Sequence, residues 1–242
     1  MSASPADRLD WVPTGRFKWI DEASRSQHWA LDPDDHCLFL GEYRAGGGWT
    51  AGMANSLVLN FKRTPSRILA SPHAAAVGNY KRRAISAVAG ALRGGFSRAA
   101  VESLLTFVPI PASRLPGDAD YCDRLLRALH QAFEGWDADI RPLLRQRASA
   151  IPDHARADRL SRRALLQLME VDGASPGRPL RPLVALFDDV LTSGKHLRVA
   201  KARILERFPH QAIIAVVVAR VARPEEVAGE EPSPCARQLL EA

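Results

Sequence analysis

The stretch from Leu183 to Leu197, LVALFDDVLTSGKHL, constrains the fold of this chain more than any other segment. It begins with five apolar residues, a run typical of a strand that is buried on both faces in a parallel sheet. Two adjacent carboxylates, Asp188 and Asp189, follow, and the pattern predicts that they end the strand. A small polar turn comes next. The residues after it have a helical period, with apolar side chains on one face: Leu197, Ala200, Ile204, Leu205 and Phe208.

This order of strand, acidic pair, turn and helix N-terminus is suited to a sugar phosphate. Backbone N–H groups and the helix dipole attract a phosphate at the start of a helix. The two carboxylates can accept hydrogen bonds from a vicinal diol, as an acidic residue does with ribose in dinucleotide-binding folds. The alternative is an ordinary strand–turn–helix unit in which Asp188 and Asp189 only cap the end of a strand.

The segment from Phe187 to Gly194, FDDVLTSG, resembles the motif with which type I phosphoribosyltransferases bind 5-phosphoribosyl 1-pyrophosphate (PRPP). The resemblance implies that Asp188 and Asp189 are the catalytic acids and hold the 2′- and 3′-hydroxyls of the ribose. It also implies that the following loop binds the 5′-phosphate with these residues: Thr192, Ser193, Gly194, Lys195 and His196. His196 departs from the motif, which usually has Ser or Thr there, but an imidazole can also donate to a phosphate.

A second segment, Val108 to Arg114 (VPIPASR), is similar to the corresponding part of the ComF-like, competence-associated phosphoribosyltransferases. In that family the loop after this strand faces the pyrophosphate, which implies that Ser113 and Arg114 bind this group. Arg suits a pyrophosphate because it can donate two hydrogen bonds at once. A strand that ends with an exposed Arg114 explains the same residues, and both interpretations stay open.

The fold class predicted from the pattern is α/β, a mostly parallel sheet flanked by helices, as in type I phosphoribosyltransferases. Buried strands are expected at 38–43, 104–110, 183–187 and 212–221, and a short edge strand at 140–144. Helices are expected at 80–93, at 118–133 with Asp118 as N-cap, and at 160–169, while 55–61 fits a strand or a helix. The ligand is expected at the carboxyl ends of the strands.

Three regions are predicted along the chain. Residues 1–30 form an N-terminal extension, whose residues Trp11, Trp19 and Trp29 are expected to anchor it on the domain. Residues 31–224 form the phosphoribosyltransferase-like domain, and residues 225–242 form a solvent-exposed tail.

Residues 145–159 are basic and have no regular period. Phosphoribosyltransferases have a mobile flap over the reaction centre. The resemblance therefore implies that this segment, which contains His154, Arg156 and Arg159, is such a flap, ordered only with ligand.

The net charge of +6 fits either a nucleic acid partner or a pocket for a highly phosphorylated sugar. The Arg residues are spread along the chain and aromatic residues make up only 7%. The sugar-phosphate pocket is therefore favoured, and a nucleic acid partner is left open. No apolar run reaches the roughly 20 residues of a membrane span, and no membrane partner is predicted. The cysteines are isolated, which predicts neither a zinc ribbon nor disulfides and favours the cytoplasm.

The resemblance implies a glycosyltransferase of nucleotide metabolism that displaces pyrophosphate from PRPP with a nitrogen nucleophile. Mg²⁺ would arrive on the oxygens of PRPP, so no set of side chains is predicted to hold a metal by itself. In purine-salvage relatives an Asp stands at the place of Thr192, and Thr cannot act as a general base near neutral pH. Whether the protein is an enzyme is therefore left open. The alternatives are a regulator that senses PRPP or a nucleotide without turning it over, and an accessory factor in DNA uptake or mobile-element biology. A homodimer is also left open.

Overall fold

The computed structural model describes residues 16–148, 162–172 and 179–222. Its strands are β1 (Lys18–Trp19), β2 (Cys37–Tyr43), β3 (Leu105–Pro109), β4 (Asp139–Ile140), β5 (Leu144–Gln146), β6 (Met169–Val171), β7 (Leu183–Leu191) and β8 (Ala212–Val221). Its helices are α1 (Glu22–Arg25), α2 (Met53–Lys62), α3 (Pro65–Leu69), α4 (Ala74–Gly95), α5 (Arg98–Ser103), α6 (Arg124–Ala132), α7 (Arg162–Leu168) and α8 (Lys195–Arg207).

Six of these strands form one sheet in the order β1-β2-β8-β7-β3-β4. The pair β1–β2 is antiparallel, and all other neighbours in the sheet are parallel. Strands β5 and β6 form a separate antiparallel pair. Strands β3, β7 and β8 lie in the middle and are almost fully buried, as their continuous apolar sequences predict. The predicted α/β class with a mostly parallel sheet flanked by helices is confirmed.

The connections from two neighbouring strands diverge and open a crevice. The chain leaves β3 through α6 towards β4 on one side, and it leaves β7 through α8 towards β8 on the other side. Open parallel sheets bind ligands at such a switch point, outside the carboxyl ends of the strands. Because parallel crossovers are right-handed, the opposite directions of these two connections place α6 and α8 on opposite faces of the sheet.

Strand β7 is longer than the sequence predicts. The strand was expected to end at Phe187, but it continues through Asp188 and Asp189 to Leu191. Strand β8 pairs with it along this whole length, with Asp188 opposite Val217. The extended ladder keeps the backbone hydrogen-bonded through the acidic pair, so the two carboxylates lie within the strand and do not terminate it.

Two predicted elements have different bounds in the structure. The helix expected from Asp118 begins at Arg124 instead, and Asp118 is not its N-cap. The turn before it is held by Asp120, whose carboxylate accepts from the backbone N–H and the hydroxyl of Ser66, both at 2.9 Å. The edge strand expected at 140–144 is divided around Pro142 between β4 and β5, which belong to different sheets.

The remaining helices follow the sequence pattern more closely. The helix expected at 80–93 is part of the longer α4, and residues 55–61 lie in α2, which settles the choice between strand and helix. Helix α7 falls within the helix expected at 160–169, and Met169 already begins β6. None of the helices in the described ranges combines the length and apolar character that crossing a membrane requires.

The described part of the N-terminal segment joins the main sheet through β1. Phe17 and Ile20 are buried, and Trp19 is partly buried against the core. Trp29, which was expected to be an anchor, is 65% exposed. Trp11, residues 149–159 of the proposed flap and the tail at 225–242 lie outside the described residues.

Candidate functional site

Asp188 and Asp189 lie near the carboxyl end of β7, and both side chains are buried. Successive side chains of a strand point to opposite faces of the sheet, so the two neighbouring acids meet different surroundings. The carboxylate of Asp188 accepts a hydrogen bond from the backbone N–H of Asp189 at 2.7 Å.

Asp189 forms ion pairs with two cations from distant helices. Lys62, the last residue of α2, places its Nζ 2.9 Å from Oδ1. Arg124, the first residue of α6, donates its Nε to Oδ2 at 3.1 Å, and its Nη2 bonds the same oxygen. Burial opposes the ionisation of Asp189, but the two cations outweigh it and hold the pKa of this carboxyl well below its usual value. Asp189 is therefore an ionised link between α2, α6 and β7.

For Asp188, burial outweighs the effect of nearby cations. Burial, with repulsion from Asp189, raises the pKa of Asp188 to about 6, although His196 and Lys62 act against this rise. In the described ranges Lys62 and Arg124 pair with Asp189 and not with Asp188. Asp188 is therefore the acid whose oxygens can accept from a ligand.

Lys81 of α4 fixes the end of α2 that presents Lys62. Its side chain is buried, and its Nζ donates to the carbonyl oxygens of Phe61 at 3.1 Å and Arg63 at 2.5 Å. These carbonyls belong to the C-terminal end of a helix, where a cation also interacts favourably with the helix dipole. Lys81 thus contributes to the site through the position of Lys62.

Residues 192–194 connect β7 to α8, and Lys195 and His196 are the first two residues of that helix. These five residues, called the loop at 192–196 here, reach the same region. Gly194 is the N-cap of α8 and has φ +87°, in the left-handed region that favours glycine. A Cβ at this position would lie 2.9 Å from side-chain atoms of Leu31, so both the conformation and the space require glycine. Because Gly194 has no side chain that could cap α8, the first N–H groups of this helix are left for a ligand or water.

His28, Ala30 and Leu31 contact this loop. The Nδ1 of His28 bonds the carbonyl oxygen of Thr192, and the N–H of Ala30 donates to the carbonyl oxygen of Ser193 at 2.9 Å. The contacts place part of the predicted N-terminal extension directly against the loop that the sequence predicts for phosphate.

Ser113 and Arg114 are half-buried in the connection that follows β3. They line one large cleft of about 2690 Å³ together with the acidic pair and all five residues of the loop at 192–196. The cationic side chains along this cleft are Arg44, Lys62, Arg63, Arg67, Arg114, Arg124, Arg145, Arg147 and Lys195. The predicted site residues are thus brought together in a basic cleft at the switch point of the sheet.

Aromatic rings lie beside two of these cations. The guanidinium of Arg63 lies 4.8 Å from the ring centre of Trp49, and Nζ of Lys195 lies 5.1 Å from that of Trp29. Both rings line the cleft. Such pairs combine positive charge with a flat apolar surface.

Sequence reasoning missed Lys62, Arg124 and His28 as parts of the site, and it did not predict that Lys81 is buried against the end of α2. Lys81 had a local signal, because its spacing from Ile85 and Val88 places it on the buried face of α4. Arg124 and His28 reach the site only through the tertiary fold, and the residues around them give no comparable signal.

No protein-family model matches the chain, and no curated protein matches its sequence. The class of protein is therefore defined by the fold and the site. It is an α/β protein with a basic cleft, in which a buried acidic pair and a helix N-terminus meet at the carboxyl ends of parallel strands.

Proposed function

We propose that the cleft binds a ribose 5-phosphate group, carried by PRPP or a nucleotide, in the manner of the type I phosphoribosyltransferases. The observation that supports this proposal best is the position of Asp188. Its buried carboxylate lies in β7, four residues before Thr192, where the loop at 192–196 begins, and both line the same cleft. A diol acceptor and an anion site so close together match the two ends of a ribose 5-phosphate.

In this proposal the loop at 192–196 binds the 5′-phosphate through backbone N–H groups and the N-terminus of α8. Asp188 accepts hydrogen bonds from the ribose hydroxyls. Asp189 supports this contact indirectly. Its ion pairs with Lys62 and Arg124 hold the end of β7, and with it Asp188, in place. Arg63 and Arg114 line the cleft and supply positive charge for a pyrophosphate.

Mg²⁺ fits this set of residues as a companion of the ligand. Magnesium is commonly held by one or two carboxylates together with phosphate oxygens of the substrate. Asp188 supplies a carboxylate of this kind. When bound, the ion would neutralise charge on the leaving pyrophosphate.

The reaction that this arrangement supports is displacement at C1 of the ribose. The bond between C1 and the pyrophosphate oxygen breaks, a bond from C1 to a nitrogen nucleophile forms, and the nucleophile gives up a proton if it carries one. Positive charge from Arg63 and Arg114 favours departure of the pyrophosphate. The chain would then be a glycosyltransferase.

Thr192 favours a second candidate, a regulator that senses PRPP or a nucleotide. Its side chain is exposed at the place where purine-salvage phosphoribosyltransferases have an Asp. A hydroxyl cannot take a proton from a base near neutral pH. The sensor and an enzyme whose acceptor needs no deprotonation both agree with this residue.

Calorimetry with PRPP and Mg²⁺ tests the binding proposal. We expect Asp188→Asn to weaken binding by about 1.5–3 kcal/mol, because the diol loses a charged acceptor. Asp34→Asn is the matched control, since Asp34 is an exposed acid outside the cleft and its loss should leave the affinity unchanged. Equal affinities of wild type and a folded Asp188→Asn variant would contradict the proposal.

A turnover assay separates the enzyme from the sensor. Pyrophosphate release is measured with PRPP, Mg²⁺ and a panel of purine, pyrimidine and pyridine bases. Release that depends on one base and is lost in Asp188→Asn supports the transferase. Tight PRPP binding without release for any base supports the sensor.

A further inference from the structure

We propose that His28 is a positioning residue that, with Ala30 and Leu31, holds the loop at 192–196 in the shape that binds a phosphate. The inference rests on the proposed function, because it concerns the same phosphate site. It assigns a role to a segment that lies 164 residues away from Thr192 in the sequence and outside the recognised motif.

The first step concerns two consecutive peptide groups of the loop. His28 is fully buried, and its Nδ1 donates to the carbonyl oxygen of Thr192. The N–H of Ala30 donates to the next carbonyl, that of Ser193, at 2.9 Å. One short segment therefore fixes two successive peptide planes.

The second step follows from peptide geometry. In a trans peptide the C=O and the N–H of the same plane point in opposite directions. When segment 28–31 holds the carbonyls of Thr192 and Ser193, it turns the N–H groups of Ser193 and Gly194 away from itself. The loop lines the cleft, as Trp29 does, whereas His28 and Ala30 are not among the described residues that line it. Both N–H groups are thus directed to the side where an anion would bind, and both repelling carbonyls are directed away from it.

The third step is that segment 28–35 is joined to α8 itself. Leu31 packs against Gly194, and the guanidinium of Arg198 forms an ion pair with Asp32 at 2.7 Å. Lys201, one turn further along α8, pairs with Asp35. Loop, helix start and segment are therefore tied together, and the two peptide planes keep their orientation relative to the N-terminus of α8.

The chemistry of residue 28 follows from these contacts. A carbonyl oxygen only accepts, so Nδ1 of His28 must carry the proton. An Asn side chain offers an N–H donor at nearly the position of Nδ1, whereas Phe fills similar space without a donor. His28→Asn and His28→Phe therefore separate the hydrogen bond from the packing.

Amide hydrogen exchange on the ligand-free protein tests the positioning directly. We expect His28→Phe to raise exchange at residues 192–196 by about tenfold or more, because one loop carbonyl loses its buried donor. His28→Asn should stay within about threefold of wild type. Val101→Ala, at a fully buried position near the amino end of β3, controls for general destabilisation and should leave the loop unchanged.

Binding of ribose 5-phosphate, measured by calorimetry on the same four proteins, links the loop to the phosphate. Affinity should fall about tenfold or more in His28→Phe and recover in His28→Asn. Exchange or affinity in His28→Phe equal to that of wild type would overturn the role of His28 while leaving the proposed function intact. If wild type binds neither ribose 5-phosphate nor PRPP, the proposed function fails, and the positioning role fails with it.

Discussion

The two acidic residues near the end of β7 lie on opposite faces of the strand and differ in their electrostatic surroundings. On the face of α2 and α6, Asp189 is neutralised by Lys62 and Arg124, which come from distant parts of the chain. Within the described part of the chain Asp188 forms no ion pair, and burial raises its pKa. The difference teaches that neighbours in sequence need not share a role. One acid holds helices against the strand, and the other is left to accept from a ligand.

Replacing each acid separately should give the largest contrast. Asp189→Asn leaves Lys62 and Arg124 without their buried partner, and we expect it to lower the free energy of unfolding by about 3–5 kcal/mol. Asp188→Asn removes a buried charge that has no ion-pair partner in the described ranges, so stability at pH 7 should stay within about 1 kcal/mol of wild type or rise. Urea unfolding of both variants measures this difference, and equal losses would remove the distinction between the two acids.

Gly194→Ala tests whether the phosphate loop tolerates any change of shape. The left-handed conformation and the contact with Leu31 should together cost about 1–3 kcal/mol of stability, and ribose 5-phosphate binding should weaken about tenfold. Gly135→Ala is a matched control, because Gly135 has φ +77° but open space around its Cβ position. The control should lose about 1 kcal/mol of stability and no affinity. Retained ribose 5-phosphate affinity in Gly194→Ala would show that the loop conformation is not needed.

The last expected effect is a pH dependence of stability. The folded-state pKa of Asp188 is raised to about 6, so between the usual Asp value and pH 6 the folded protein binds more protons than the unfolded chain. The contribution of Asp188 to stability therefore falls as the pH rises through this window. Asp189, with its lowered pKa, contributes stability that is lost only at lower pH.

The difference in unfolding free energy between wild type and Asp188→Asn isolates the contribution of Asp188. Urea unfolding of both proteins from pH 4 to pH 8 should show wild type losing stability relative to the variant up to about pH 6, and a constant difference above it. A difference that is constant across the whole range would contradict the raised pKa.

The local parts of the site could be predicted from the sequence. Residues 183–197 contain the strand, the acids, the glycine turn and the helix in one continuous pattern, so both the elements and their order follow from the period of apolar residues. The predicted end of β7 was wrong. The strand is extended by its pairing with β8, and its acidic residue Asp189 is neutralised by Lys62 and Arg124; neither interaction can be seen from residues 183–197 alone.

The distant parts of the site could not be predicted in this way. Arg124 begins α6, and the turn before this helix is bonded through Asp120 to Ser66, 54 residues away in the sequence. His28 lies in a stretch that resembles a surface arm, with the exposed Trp29 beside it, although its own side chain is buried against Thr192. In both cases the contact joins two segments that are far apart in the sequence, and the local pattern of apolar residues does not indicate it.

The most direct test of the central claim compares ribose 5-phosphate with 2-deoxyribose 5-phosphate. The two ligands share the phosphate and differ in one hydroxyl, so the ratio of their affinities reports on the diol that Asp188 is proposed to hold. Calorimetry on wild type should give a preference for ribose 5-phosphate of about tenfold, and this preference should shrink to about threefold or less in Asp188→Asn. Equal binding of the two sugars by wild type would contradict the proposal that the acid at the end of β7 binds a ribose.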